Sequence, residues 1–96
     1  MQYIAFIHSN HESTIRPDEW ERFIKLARNA GMFQGGSELG ERHAIGATNV
    51  PDSTKVIDGF MRFDSDNLPH LLALLDSHPC IQHGGTIELR EMPNSG

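Results

Sequence analysis

A chain of 96 residues, 38% of them apolar, with a formal net charge of −5, is long enough for one small domain with a modest core. Its eight Lys and Arg are dispersed among 13 Asp and Glu, which excludes the clustered basic surface that a nucleic-acid backbone requires. No apolar run approaches a membrane span, the start Met1-Gln2-Tyr3-Ile4 lacks a secretory leader's basic flank, and Cys80 has no partner for an internal disulfide, so a cytoplasmic protein is expected.

Residues 2–8, QYIAFIH, are almost continuously apolar and predict a strand covered on both faces. Residues 9–16 are polar and predict a loop that carries Asn10, His11 and Glu12 close behind His8. Residues 17–30 predict a helix. Pro17 suits a first turn, Asp18 and Glu19 complement the helix dipole, and Trp20, Phe23, Ile24, Ala27 and Ala30 make one apolar stripe. Gly31 is its expected cap.

Residues 32–49 predict two short extended pieces, near 32–39 and 43–48, and Val50-Pro51-Asp52-Ser53 predicts a turn. Residues 55–64 alternate, with Ile57, Gly59, Met61 and Phe63 on one face and Val56, Asp58, Phe60 and Arg62 on the other. Asp66 or Asn67 is placed to cap a second helix, with Pro69 tolerated in its first turn. Leu68, Leu71, Leu72 and Leu75 form its stripe, Leu74 widens it, and Pro79 is expected to stop it. Gly84-Gly85 then turns the chain into a strand over 86–92. There Ile87 and Leu89 face one way, and Thr86, Glu88 and Arg90 the other.

Strand, helix, strand, strand, helix, strand is the ferredoxin-like βαββαβ order, an α+β fold with an antiparallel sheet and two helices on one face. Residues 1–93 make the domain and 94–96 a polar tail. The helix-free face keeps an apolar row of the first strand together with Phe60. A second sheet is the economical cover, so a homodimer is expected.

The pieces YIAFIH, GGSELG, Lys55-x-x-Asp58-Gly59-Phe60 and HPCIQHGGTIELREMP, in this order, resemble the YCII-related family, and its branch with a DGPF signature above all. The resemblance covers most of the chain and is strongest from Gly59 onward. It implies a dimeric α+β barrel, in which two ferredoxin-like sheets pack face to face. Two departures stand out. Asp58-Gly59-Phe60 has no proline, so the signature tetrapeptide itself is missing. Better-known members carry a His near the start of the first helix, proposed to work with an Asp; this chain has Arg16-Pro17-Asp18-Glu19-Trp20 there and no equivalent histidine.

Candidate chemistry centres on His83, whose neighbours Gly84-Gly85 leave room for a ligand and whose ordinary pKa suits proton transfer near neutrality. The rival reading is a histidine that bonds backbone in a tight turn. His83 is expected at the rim of the main pocket, with its ring partly accessible. His8 is the second catalytic candidate. His11, Asp58, Arg62 and Arg90 are ligand-binding candidates, since an Arg can grip a carboxylate with two hydrogen bonds. A mutually neutralising cluster with Glu88 is the plainer alternative for Asp58 and the two arginines.

His8, His11 and His83 could converge as metal ligands, but their spacing is not diagnostic; scattered polar loop residues are the favoured reading, and no metal is expected. No phosphate loop, Walker pattern or CxxC pair is present, and no cofactor is expected. Cys80 reads as structural, on the C-terminal side of a helix, and His43, His70 and His78 read as surface residues. The leading expectation is a YCII-related domain of undefined activity, performing His-assisted acid/base chemistry on a small metabolite. The rival is a non-catalytic small-molecule-binding or dimeric interaction module.

Overall fold

In the computed structural model, which describes residues 1–46 and 52–93, β1 (Gln2–His8) lies inside a four-stranded sheet. Apolar side chains on both of its faces suit that central place. It pairs antiparallel with β3 (Ile57–Asp64) on one side and β4 (Ile87–Met92) on the other. β2 (Phe33–Glu38) completes the order β2-β3-β1-β4 by pairing antiparallel with β3. This is the ferredoxin-like order the element pattern predicts, with α1 (Pro17–Asn29), α2 (Leu68–Asp76) and α3 (Pro79–Gln82) on one face.

The core lies between that face and the helices. Tyr3, Ala5 and Ile7 of β1 and Met61 and Phe63 of β3 are buried against Phe23 and Ala27 of α1 and Leu71, Leu74 and Leu75 of α2. The opposite face carries no helix. On it Ile4 lies between Arg62 and Arg90, and Phe6 between Phe60 and Glu88. Ile4, Phe6 and Phe60 remain partly exposed there.

Several local readings change. No strand forms among residues 43–46 of the second predicted extended piece; residues 47–48 and Val50-Pro51 of the predicted turn lie outside the described residues. Lys55 and Val56 belong to a 3-10 turn (Asp52–Val56), so β3 begins at Ile57. Lys55 bonds back to Asp52 at 3.0 Å, an i to i+3 pairing that the tight turn permits. Asn67 does cap α2, its Oδ1 accepting the His70 N–H at 3.1 Å. The buried row of α2, however, is Leu71, Leu74 and Leu75, while Leu68 and Leu72 are 37% and 49% exposed. Leu72 stands about 100° around the helix from Leu71, which carries it off the buried side.

Pro79 does more than stop α2, because it opens α3. His78 caps this short helix, its Nδ1 accepting the Cys80 N–H at 3.0 Å. The surface reading of His78 is therefore wrong: the residue is fully buried. The reversal between the two helices presses its ring against Trp20 and Phe23, with centroids at 4.8 and 4.5 Å. Because Nδ1 accepts, the ring proton sits on Nε2, which is buried without a hydrogen-bond partner. Burial pushes the imidazole pKa down to about 4.

Candidate functional site

The loop over residues 9–16 owes its position to hydrogen bonds with the far end of the chain. The Asn10 Oδ1 accepts the Thr86 N–H at 3.0 Å, and its Nδ2 donates to the Thr86 hydroxyl at 3.0 Å. The Glu12 N–H donates to the His83 carbonyl at 2.8 Å. Asn10→Ala is expected to cost about 1 kcal/mol, the usual net worth of such bonds. Amide exchange at Glu12 and Thr86 is expected to quicken; unchanged protection there would show that the loop is held by something else.

His83 follows α3 directly, with its N–H bonded to the Pro79 carbonyl at 2.9 Å. Gly84 has φ +83°, a left-handed turn that glycine enters without strain, and it reverses the chain toward β4. The turn sets the His83 ring between two side chains. Its Nδ1 is 2.5 Å from the Ser13 hydroxyl, and its Nε2 is 2.7 Å from Glu19 Oε2. A carboxylate only accepts, so Nε2 carries the ring proton. Nδ1 is then an acceptor, and the Ser13 hydroxyl donates to it. The Arg16 Nε lies 3.6 Å from the second Glu19 oxygen. The His83 and Glu19 side chains are each 20% exposed.

Beside this group lies a cleft of about 830 Å³ between α1 and the β2–β3 side of the sheet. Trp20, Ile24 and Arg28 of α1 line it, as do His11 and Thr14 of the loop. Gly36 and Gly59 are also in its lining. A Cβ on Gly36 would meet the Phe60 carbonyl at 2.3 Å, so this strand approach is restricted to glycine. β3 has a bulge here: Ile7 pairs with Gly59 but His8 with Ile57, leaving Asp58 as the extra residue. Bulges re-aim side chains, and Asp58 joins the cleft lining.

The six candidates from the sequence divide into two groups. His83, His11 and Asp58 lie at the loop end of the cleft, although His83 stands behind the lining and not in it. His11 donates from Nδ1 to the Ser13 carbonyl at 2.7 Å, which couples it to the same segment. His8, Arg62 and Arg90 belong to the opposite face of the sheet. Glu88 lies 3.8 Å from the His8 Nε2 and 3.4 Å from the Arg90 Nη1 there. One pocket that joins His8, His83 and the arginines is thus ruled out by the pleat, which sends Phe6 and His8 away from Ile7.

Two members of the group were missed in the sequence. Glu19 had a usable signal. It is the third residue of α1, where a Glu ordinarily completes a capping box with a Ser or Thr at the N-cap. Arg16 is the N-cap and makes no side-chain cap bond, so the Glu19 carboxylate is left for another partner. Ser13 had no signal, since a serine in a polar loop is ordinary. Cys80 follows the C-terminal end of α2, as expected, and also lies in the first turn of α3. Its thiol is fully buried and donates toward the His8 and Thr86 carbonyls at 3.4 and 3.6 Å. Burial, and next the Asp58 charge, push its pKa up, which keeps it an unreactive thiol. Among the described residues no group of three or more His, Cys, Asp or Glu is placed to hold a metal ion. No helix there is long and apolar enough to cross a membrane.

No protein-family model matches the sequence, and no curated protein matches it in sequence. Among solved structures, the fold is similar to that of 5-chloro-2-hydroxyhydroquinone dehydrochlorinase from Burkholderia phenoliruptrix AC1100, determined in complex with 2,5-dihydroxybenzoquinone. The TM-score is 0.55 at 12% identity, over 96% of this chain and 93% of that one. At that identity the similarity speaks for the fold alone, an α+β domain with an antiparallel sheet and helices on one face.

Proposed function

We propose that this chain is a small cytoplasmic enzyme of the YCII-related kind that moves a proton on a small metabolite, with His83 as general base and acid. The observation that carries this reading is the 2.7 Å bond between His83 Nε2 and Glu19. It holds the ring in one tautomer and leaves Nδ1 as the nitrogen that can take a proton. The Ser13 hydroxyl, on an exposed loop, is bonded to that nitrogen, and a ligand group can replace a hydroxyl. His11 and Asp58 are assigned to ligand binding at this end of the cleft, and Arg28 is a cation at its other end.

The similarity in fold to a dehydrochlorinase with a small ring ligand supports a small-molecule substrate. Trp20 is the single tryptophan and lines the cleft, so its fluorescence reports occupancy. The test uses 2,5-dihydroxybenzoquinone and a set of small keto and hydroxy acids in deuterated water. Binding is followed by Trp20 fluorescence and calorimetry, and solvent deuterium uptake into the ligands by NMR. Uptake catalysed by the native chain and lowered about tenfold or more in His83→Gln is expected. Uptake unaffected by His83→Gln would refute the assignment. Tight binding with no turnover of any compound would leave a binding module.

The second part of the proposal is a homodimer built on the helix-free face. Ile4, Phe6 and Phe60 are apolar, contiguous in register and without cover, and two such faces would bury one another. Light scattering at micromolar concentration is expected to give twice the 10.7 kDa chain mass. A monomer mass would remove the face-to-face pair. On this reading Arg62, Arg90 and Glu88 border the interface, with His8 beside Glu88.

A further inference from the structure

We infer that Ser13 is a nucleophile, and that Ser13, His83 and Glu19 form a triad for acyl transfer from small esters or thioesters. This rests on the reading of His83 as a base and adds a covalent step to it. A nucleophile is recognised by a hydroxyl within hydrogen-bond reach of a base that a third group orients. Here the hydroxyl is 2.5 Å from Nδ1 and the orienting carboxylate 2.7 Å from Nε2. The ring is turned so that Nδ1 meets the hydroxyl. The logic is unchanged, because one nitrogen is bare toward the nucleophile and the other is protonated against the acid.

The three groups come from places 70 and 64 residues apart in sequence. They are nevertheless held by backbone and amide bonds from Glu12 and Asn10, so the alignment does not depend on the serine itself. Ser13 is exposed, and His11 and Thr14 beside it line the cleft. Ser13 itself stands outside that lining, so an acyl carbon meets the exposed hydroxyl from the solvent side, next to that end of the cleft. A serine needed only to steady His83 would be redundant there, since the ring is already tied at Nε2 and at its backbone.

The chemistry balances without any further reactant than water. The Ser13 Oγ bonds to the acyl carbon while its proton passes to His83 Nδ1, and the Glu19 carboxylate stabilises the imidazolium. The adduct collapses by breaking the bond from the acyl carbon to the alkoxide or thiolate, which leaves with the proton from Nδ1. Water then adds to the acyl-serine, giving its proton to Nδ1. The acid departs as Nδ1 returns that proton to Ser13. Ester and water become acid and alcohol.

The test is p-nitrophenyl acetate with the full chain, read by nitrophenolate release and by peptide mass mapping. A burst near one nitrophenolate per chain is expected, with acetyl on the peptide that holds Ser13. Ser13→Ala is expected to lose both, Ser53→Ala neither. His83→Gln and Glu19→Gln are expected to slow acetylation by about tenfold or more. Circular dichroism checks that each variant is folded, which the exposed position of Ser13 favours. Absence of Ser13 acetylation, or acetylation as fast in His83→Gln, overturns the triad. Deuterium uptake by Ser13→Ala separates the two readings. If uptake persists in Ser13→Ala while the native chain is not acetylated, the base stands and the nucleophile falls. If His83→Gln alters neither assay, both fall.

Discussion

Phe63→Ala is expected to destabilise the fold by about 3–5 kcal/mol, the range for emptying a large aromatic site in a core. Phe63 is fully buried in β3, between Tyr3 of β1 and Phe33 of β2 in register. Its ring lies 5.8 Å from that of Phe33. Ladder bonds on both sides prevent the strand from collapsing into the space that alanine would leave. The loss is therefore a cavity as well as a transfer cost. Small domains have roughly 5–15 kcal/mol of stability in all, so the variant is expected to be largely unfolded in mild urea. Phe63→Leu, closer in volume, is expected to cost less, about 1.5 kcal/mol. Urea titration followed by circular dichroism measures both. A midpoint for Phe63→Ala within error of the native one would contradict this account of the core.

Acid is expected to weaken the fold through His78. Its folded pKa of about 4 is below the unfolded value of 6.5, so the unfolded chain takes up a proton that the folded chain refuses. The sign follows: this contribution to stability is intact above pH 6.5 and is lost as pH falls from there toward 4. Between pH 7.5 and 5 the loss amounts to about 2 kcal/mol. His78→Asn keeps an acceptor for the Cys80 N–H but has no proton to take up. It is expected to be less stable at pH 7.5, because it packs less volume against Trp20 and Phe23, yet to lose little more on going to pH 5. Equal pH slopes for the native chain and His78→Asn would place the acid sensitivity elsewhere. Trp20 fluorescence follows the same transition, since its ring touches His78.

The strand and helix assignments were legible because they depend on near neighbours. Alternation in β3, the continuous apolar run of β1 and the Pro17-led stripe of α1 each describe a local periodicity; the structure keeps the last two, and keeps the alternation from Gly59 onward, beyond the bulge at Asp58. The Asn67 cap was legible for the same reason, as its partner is three residues away. His78 was not. Nothing within a few residues says that a chain reversal will place it under an aromatic pair on α1, or that its ring will cap a helix of four residues.

The candidate site shows the same boundary. His83 was identifiable from its glycine neighbours and its chemistry, both local properties. Its pairing with Ser13 and Glu19 was not, because they reach it only after β1 and β4 have paired and drawn the loop against the turn before β4. The separation of His83 from His8 and the two arginines was likewise undecided by residue order. Residue types and local periodicity determined which segments are strands and helices and which side chains can do chemistry. Only the tertiary structure decided which of those side chains share a face, since strand register and the β3 bulge are set by contacts between residues far apart in the chain.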